Sequence, residues 1–237
     1  MLDQIGAIVG MVAIAVNLVA IMSFLPGTLA WRLTVAGGAG AWVGLASGLG
    51  AAGKFAFDSA QPVPLIGVLF AVPLLAAGVV ALTSPKVRAR LLAVPTHVLI
   101  GLNAMRVLGV LFLFLAAAGR LSGPFPFSAG LGDIITGVLA MPLAMRVARG
   151  RGFSAAGLRA WNFFGALDLV TAVALGITSA AGSPLQLLHV GVGSEAMWSL
   201  PFCLVPTVLV PFYLITHGII AAQLRVPRGL PVVPVTP

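Results

Sequence analysis

The chain has 237 residues, 60% hydrophobic and 8% charged, with a mean hydropathy of +1.13 and a net charge of +8. Soluble domains carry about 25% charged residues, so this composition excludes a soluble globular protein and indicates a polytopic membrane protein. The basic residues cluster between apolar runs, as in cytoplasmic membrane loops, which sets nucleic acid aside as a partner in favour of the lipid bilayer; the single Cys203 forbids an intrachain disulfide or a Cys-based metal site.

Residues 5–25 form the first apolar span, preceded by Asp3 and by no basic residue. A secretory signal needs a positive n-region and a small-residue cleavage site, so this segment is expected to be a retained helix that ends at Pro26-Gly27. Residues 33–53 form a second span in which Gly40, Gly44 and Gly48 recur at four-residue intervals. That stripe predicts close packing against another helix. Lys54 and Asp58 lie in a loop closed by Pro62, and residues 63–82 make a third span before a basic loop with Lys86, Arg88 and Arg90. The fourth span, 97–118, is unusual in carrying His97, Asn103 and Arg106.

After a connector with Pro124 and Pro126, a fifth span covers 127–147 and a sixth covers 160–181, the latter opening with Trp161 and Asn162, read as an interfacial pair. The connector 182–200 contains Gln186, His189, Glu195 and Trp198 and is read as a short amphipathic surface segment. A seventh span, 201–224, carries Pro201, Pro206, Pro211, Tyr213 and His217, and a Pro-rich, unstructured tail is expected over 225–237. The predicted fold is thus an all-α bundle of seven transmembrane helices, one domain over residues 1–224.

Alternate loops must share a side of the membrane. Those after spans one, three, five and seven hold ten basic residues, Arg32, Lys86, Arg88, Arg90, Arg146, Arg149, Arg151, Arg159, Arg225 and Arg228, and no acidic ones. The opposite side holds Lys54 and Arg120 against Asp3, Asp58 and Glu195. The positive-inside rule therefore predicts an outside N-terminus and a cytoplasmic C-terminus. An excess of Arg over Lys in an Ala- and Gly-rich chain suggests, by association only, a bacterial inner membrane.

One short pattern occurs twice. Gly-Leu-Gly-Asp-Ile-Ile-Thr-Gly-Val at 130–138 and Gly-Ala-Leu-Asp-Leu-Val-Thr-Ala-Val at 165–173 share Gly, Asp, Thr and Val at the same offsets. Helical spacing puts Gly130, Asp133 and Thr136 on one face, and Gly165, Asp168 and Thr171 on another. Of only five acidic residues, two therefore lie within apolar spans, at a cost of at least ~2.5 kcal/mol each, so a cation, a proton or a protein partner must compensate. Arg106 cannot shed its proton, and by depth Asp168 is its expected partner, with Asn103 and His217 near the same layer. Asp133, ~9 Å below the outer boundary and ~10 Å from the level of Asp168, lacks an obvious cation beyond Arg120. It is expected to exchange a proton or hold an ion, in an arrangement like a small inverted repeat.

Other readings find less support. Gly130-Leu131-Gly132-Asp133 resembles the Gly-x-Gly-Asp of intramembrane aspartyl proteases, but there the second catalytic Asp precedes the motif, whereas here Asp168 follows it. His97 and His217 could ligate a haem only as facing imidazoles across an apolar slot. A seven-helix photoreceptor would need a Lys in the seventh span, which has none. Walker, Rossmann, His-Glu-x-x-His and serine-nucleophile motifs do not occur, so the reading leans away from an enzyme without settling it, and no cofactor is predicted beyond that haem. The favoured function is a small transporter or ion- or proton-coupled permease, with Asp133, Asp168, Thr136 and Thr171 at its ion site. The alternative is an accessory or receptor-like subunit whose ion pairs only hold helices together, with partner subunits or a homo-oligomer implied.

Overall fold

A computed structural model describes residues 1–56, 64–150 and 154–225. Asp58, Pro62, Arg151, Arg228 and the tail beyond Arg225 lie outside the described residues. Nine α-helices appear among those described: α1 (Leu2–Phe24), α2 (Leu29–Ala51), α3 (Leu65–Thr83), α4 (Pro85–Leu92), α5 (Thr96–Leu102), α6 (Val110–Ala117), α7 (Phe125–Ala148), α8 (Ala155–Thr178) and α9 (Val210–Gln223). A 3-10 stretch, Asn103–Gly109, joins α5 to α6 into one span, and a π-helical turn, Val205–Leu209, opens the span completed by α9. There are then seven helical spans long and apolar enough to cross a membrane, and no strand among the described residues. Their number, length and apolar composition are those expected of a multi-pass membrane protein.

Local chemistry sets the span ends. The Thr28 hydroxyl accepts from Trp31 N at 3.3 Å and starts α2, which places Arg32 in the first helical turn and not in the loop expected from sequence. Ser154 caps α8 through Gly157 N at 2.9 Å, five residues or so before the predicted start. Span four ends where Gly119, at φ +69°, lets Arg120 N reach back to Leu115 O at 2.9 Å. The basic loop after α3 is itself the helix α4, capped by Ser84 with Pro85 at its first position. The connector 182–200 contributes one 3-10 turn, Glu195–Trp198, with Ala196 and Met197 buried, in place of an amphipathic surface segment.

Prolines shape the seventh span. Pro211 has no N–H to give to the carbonyl of Thr207, and that carbonyl accepts instead from Trp42 Nε1 of α2 at 2.9 Å. The missing helical bond and the widened π turn occur together, and the Trp42 hydrogen bond to the freed carbonyl ties α2 to the bundle.

Span five, α7, is central: it packs on α5, the 3-10 stretch, α6 and α8. The apolar core is split. One cluster gathers Leu99, Ile100, Ala140, Leu143, Trp161 and Ile220 at one end, and another gathers Phe112, Leu115, Phe125, Ala129, Ala172 and Phe202 at the other. Arg106 and its partners lie between them in sequence along every span involved. The glycine stripe of α2 does not pack as expected. Gly40, Gly44 and Gly48 are exposed with no described residue near their missing side chains, and α2 instead turns Ala46 and Gly50 inward. A small-residue stripe on an exposed helix face reads the same from sequence as one packed within the chain.

Candidate functional site: a shared guanidinium between two carboxylates

Arg106 sits in the 3-10 stretch and is 3% exposed. Its backbone lies against α7 where that helix has no side chains. A Cβ on Gly137 would stand 2.5 Å from Val107 N, and one on Gly130 would stand 3.1 Å from Gly109 O. Glycine at these positions is what allows the two backbones to approach, and it delivers Arg106 into the bundle.

The guanidinium then meets partners from three spans. Nε donates to Asp133 Oδ1 at 2.6 Å and Nη2 to Asp168 Oδ2 at 2.6 Å. Nη1 donates to Gly165 O at 3.0 Å and faces His217 Nε2 at 3.0 Å. Arginine only donates, so Nε2 of His217 must accept and its proton resides on Nδ1. That Nδ1–H donates to Asn162 Oδ1 at 2.9 Å, while Asn162 Nδ2 donates to His217 O at 3.1 Å. The donor logic thus assigns the imidazole as neutral and fixes the Asn162 amide. Two carboxylates share one guanidinium beside a neutral histidine, and the cluster holds one negative charge in surplus when both carboxylates are ionised.

Several expectations need correction. Asp133 does not lack a cation, and Arg120 is not its partner: Arg120 pairs with Asp3 at 2.7 Å, exposed, over the Phe202 ring. The two carboxylates do not lie at separate depths, because both bind the same guanidinium. The reason is the shifted span ends. Counted from Phe125 and back from Thr178, Asp133 and Asp168 come ~12 Å and ~15 Å from the same end, so an inverted arrangement of the two copies is not what the chain forms.

The faces also divide. Gly130, Asp133 and Gly137 look toward span four, whereas Gly132 and Thr136 look toward span six: a Cβ on Gly132 would overlap the Asp168 carboxylate, and one on Gly165 would lie 2.9 Å from the Thr136 methyl. Thr136 Oγ1 is buried without a partner among the described residues, and the Thr136 carbonyl accepts from Trp161 Nε1 at 3.2 Å. Thr171 is half-buried and makes none of these contacts. Asn103 is buried one turn from Arg106, donates to Leu99 O at 3.0 Å and reaches Thr216 Oγ1 at 3.5 Å, but does not bond the guanidinium. Both ring nitrogens of His217 are occupied, so the donor set does not fit a bis-His haem with the half-buried His97.

Residues 63–225 match a protein family described as Domain of unknown function (DUF8737). The chain belongs to that family. No curated protein and no solved structure matches it. The matched stretch contains all the residues of the Arg106 cluster and leaves the first two spans outside it.

Two residues of the site were not singled out from sequence. From its sequence position Asn162 reads as interfacial with Trp161, yet both are buried, at 6% and 7% exposure. Its spacing to Gly165 and Asp168 puts it on their face, a signal that was available. Tyr213, one turn before His217, is also buried, and its hydroxyl makes no hydrogen bond among the described residues. Asn162→Ala should leave the His217 Nδ1–H without an acceptor and cost about 1–3 kcal/mol, read as a lower melting midpoint of the detergent-solubilised chain. An unchanged midpoint would contradict the assigned hydrogen bond.

Proposed function

We propose that this chain is a membrane transporter, a small ion- or proton-coupled permease in which Asp133, with Asp168 and Arg106, takes up a cation or a proton. The supporting observation is the surplus carboxylate: two acids converge on one buried guanidinium, and the less buried of them, Asp133, borders two cavities in the bundle. A cation arriving at Asp133 competes with Arg106 for that carboxylate. Arg106 can then fall back on Asp168 alone, so occupancy changes how spans four, five and six are held together. Its place on a 3-10 stretch supports span four as the element that moves. In this reading the basic loops face the cytoplasm and the N-terminus lies outside.

A second reading has its own support. Arg106 places four of its five N–H donors on protein partners, as a purely structural ion pair in an accessory or receptor-like subunit would. The two readings part in liposomes. A permease should accelerate the collapse of an imposed proton or sodium gradient over that in empty vesicles. Equal decay rates at acidic and alkaline pH would favour the accessory reading.

A further inference from the structure

The two cavities meet at Asp133. The larger, about 100 Å³, is walled by apolar side chains including Phe70, Phe125, Val173 and Met197. The smaller, about 70 Å³, is bordered by Arg106, Gly109 and Tyr213 together with Gly6, Val9 and Ala13 of α1. Phe112, Asp133, Leu169, Val205 and Val210 border both. A single water needs about 10–15 Å³ of such space, so there is room for a small organic molecule.

Polar groups in this space are few and specific. Asp133 Oδ1 accepts from Arg106 Nε, and Oδ2 takes no hydrogen bond among the described residues. Tyr213 is 4% exposed, and its hydroxyl, beside the Asn17 amide, makes no hydrogen bond within 3.5 Å among the described residues, although a buried hydroxyl without one is costly. The free groups are thus a carboxylate oxygen and a phenol, both able to accept, beside aromatic walls. Orphaned acceptors around a surplus negative charge call for a ligand that brings donors and positive charge.

We infer that the paired cavities bind a small hydrophobic amine in its ammonium form, the ammonium donating to Asp133 Oδ2 and the Tyr213 hydroxyl, and the apolar body lying in the larger cavity. This rests on the reading of Asp133 as a cation-binding carboxylate and names the class of cation. An inorganic ion would leave the apolar chamber unused. A neutral solute of the same shape would leave the surplus charge uncompensated.

The test uses the full chain in detergent with 2-phenylethylammonium as probe and 2-phenylethanol as its neutral counterpart, each titrated calorimetrically. Saturable binding of the ammonium is expected, with the alcohol weaker by about a hundredfold, since a charge-assisted bond to a buried carboxylate is lost. Tyr213→Phe, which removes only an unpartnered hydroxyl and should fold, is expected to weaken ammonium binding about tenfold. Equal affinity for the alcohol, no effect of Tyr213→Phe, or no saturable ammonium binding would each overturn the inference. Flux separates it from the permease reading: ammonium binding without uptake into liposomes keeps the site and removes the permease, whereas gradient collapse without ammonium binding removes the amine and keeps the permease.

Discussion

Arg106→Ala is expected to abolish most recoverable folded protein, because it strands two carboxylates in the bundle. Breaking a buried pair by deleting one partner costs about 3–5 kcal/mol, and here one deletion orphans two acids and the His217 acceptor. The single change should therefore be worse than any neutral combination. Adding Asp168→Asn restores only part of the yield, since Asp133 still lacks its cation; adding Asp133→Asn as well removes every orphaned charge and should restore most of it. The measurement is monodisperse yield by fluorescence-detected size exclusion across the series. Full rescue by Asp168→Asn alone would mean that Asp133 does not depend on Arg106.

The second large effect comes from the glycines of α7. Gly132→Ala would put a methyl group on the Asp168 carboxylate and force it off Arg106, combining an overpacking cost of about 1–3 kcal/mol with loss of a charged hydrogen bond worth about 1.5–3 kcal/mol. Gly137→Ala meets the backbone nitrogen of Val107, which cannot rotate away as a side chain can, so spans four and five must separate. Gly44→Ala is the control: nothing lies near its Cβ, and alanine favours helix by about 0.8–1 kcal/mol. Melting midpoints should fall strongly for the first two and stay level or rise for the third. A Gly132→Ala chain as stable as its parent would contradict the packing of Asp168 against span five.

These glycines show where sequence reasoning reached and where it stopped. The seven spans were legible because membrane-length apolar runs are long signals, and Arg106, Asp133 and Asp168 were legible because charge inside such runs is rare. Which glycine face packs was not legible. The stripe at Gly40, Gly44 and Gly48 looked like an interface and is bare, whereas Gly130, Gly132 and Gly137 do the packing from within a less regular pattern. Depth failed for a related reason: a start moved from 160 to Ala155 shifts Asp168 by ~7 Å, enough to separate two residues that share a partner. The 3-10 geometry under Arg106 had no Pro to announce it. It depends on α7 lying close by, a tertiary fact that no local window contains.

The central claim is that Asp133 is a working cation or proton site, and Asp133→Asn in one reconstituted preparation tests it most directly. The amide oxygen can still accept from Arg106 Nε, Arg106 keeps Asp168, and the cluster loses its surplus charge, so burial becomes no more costly. Folded yield and melting midpoint should hold at the parent level or rise, while the gradient-collapse rate in liposomes falls to that of empty vesicles. If the substitution instead lowers yield and midpoint, and the parent chain never exceeds the empty-vesicle rate, then Asp133 is a structural partner of Arg106 and the transporter reading is wrong.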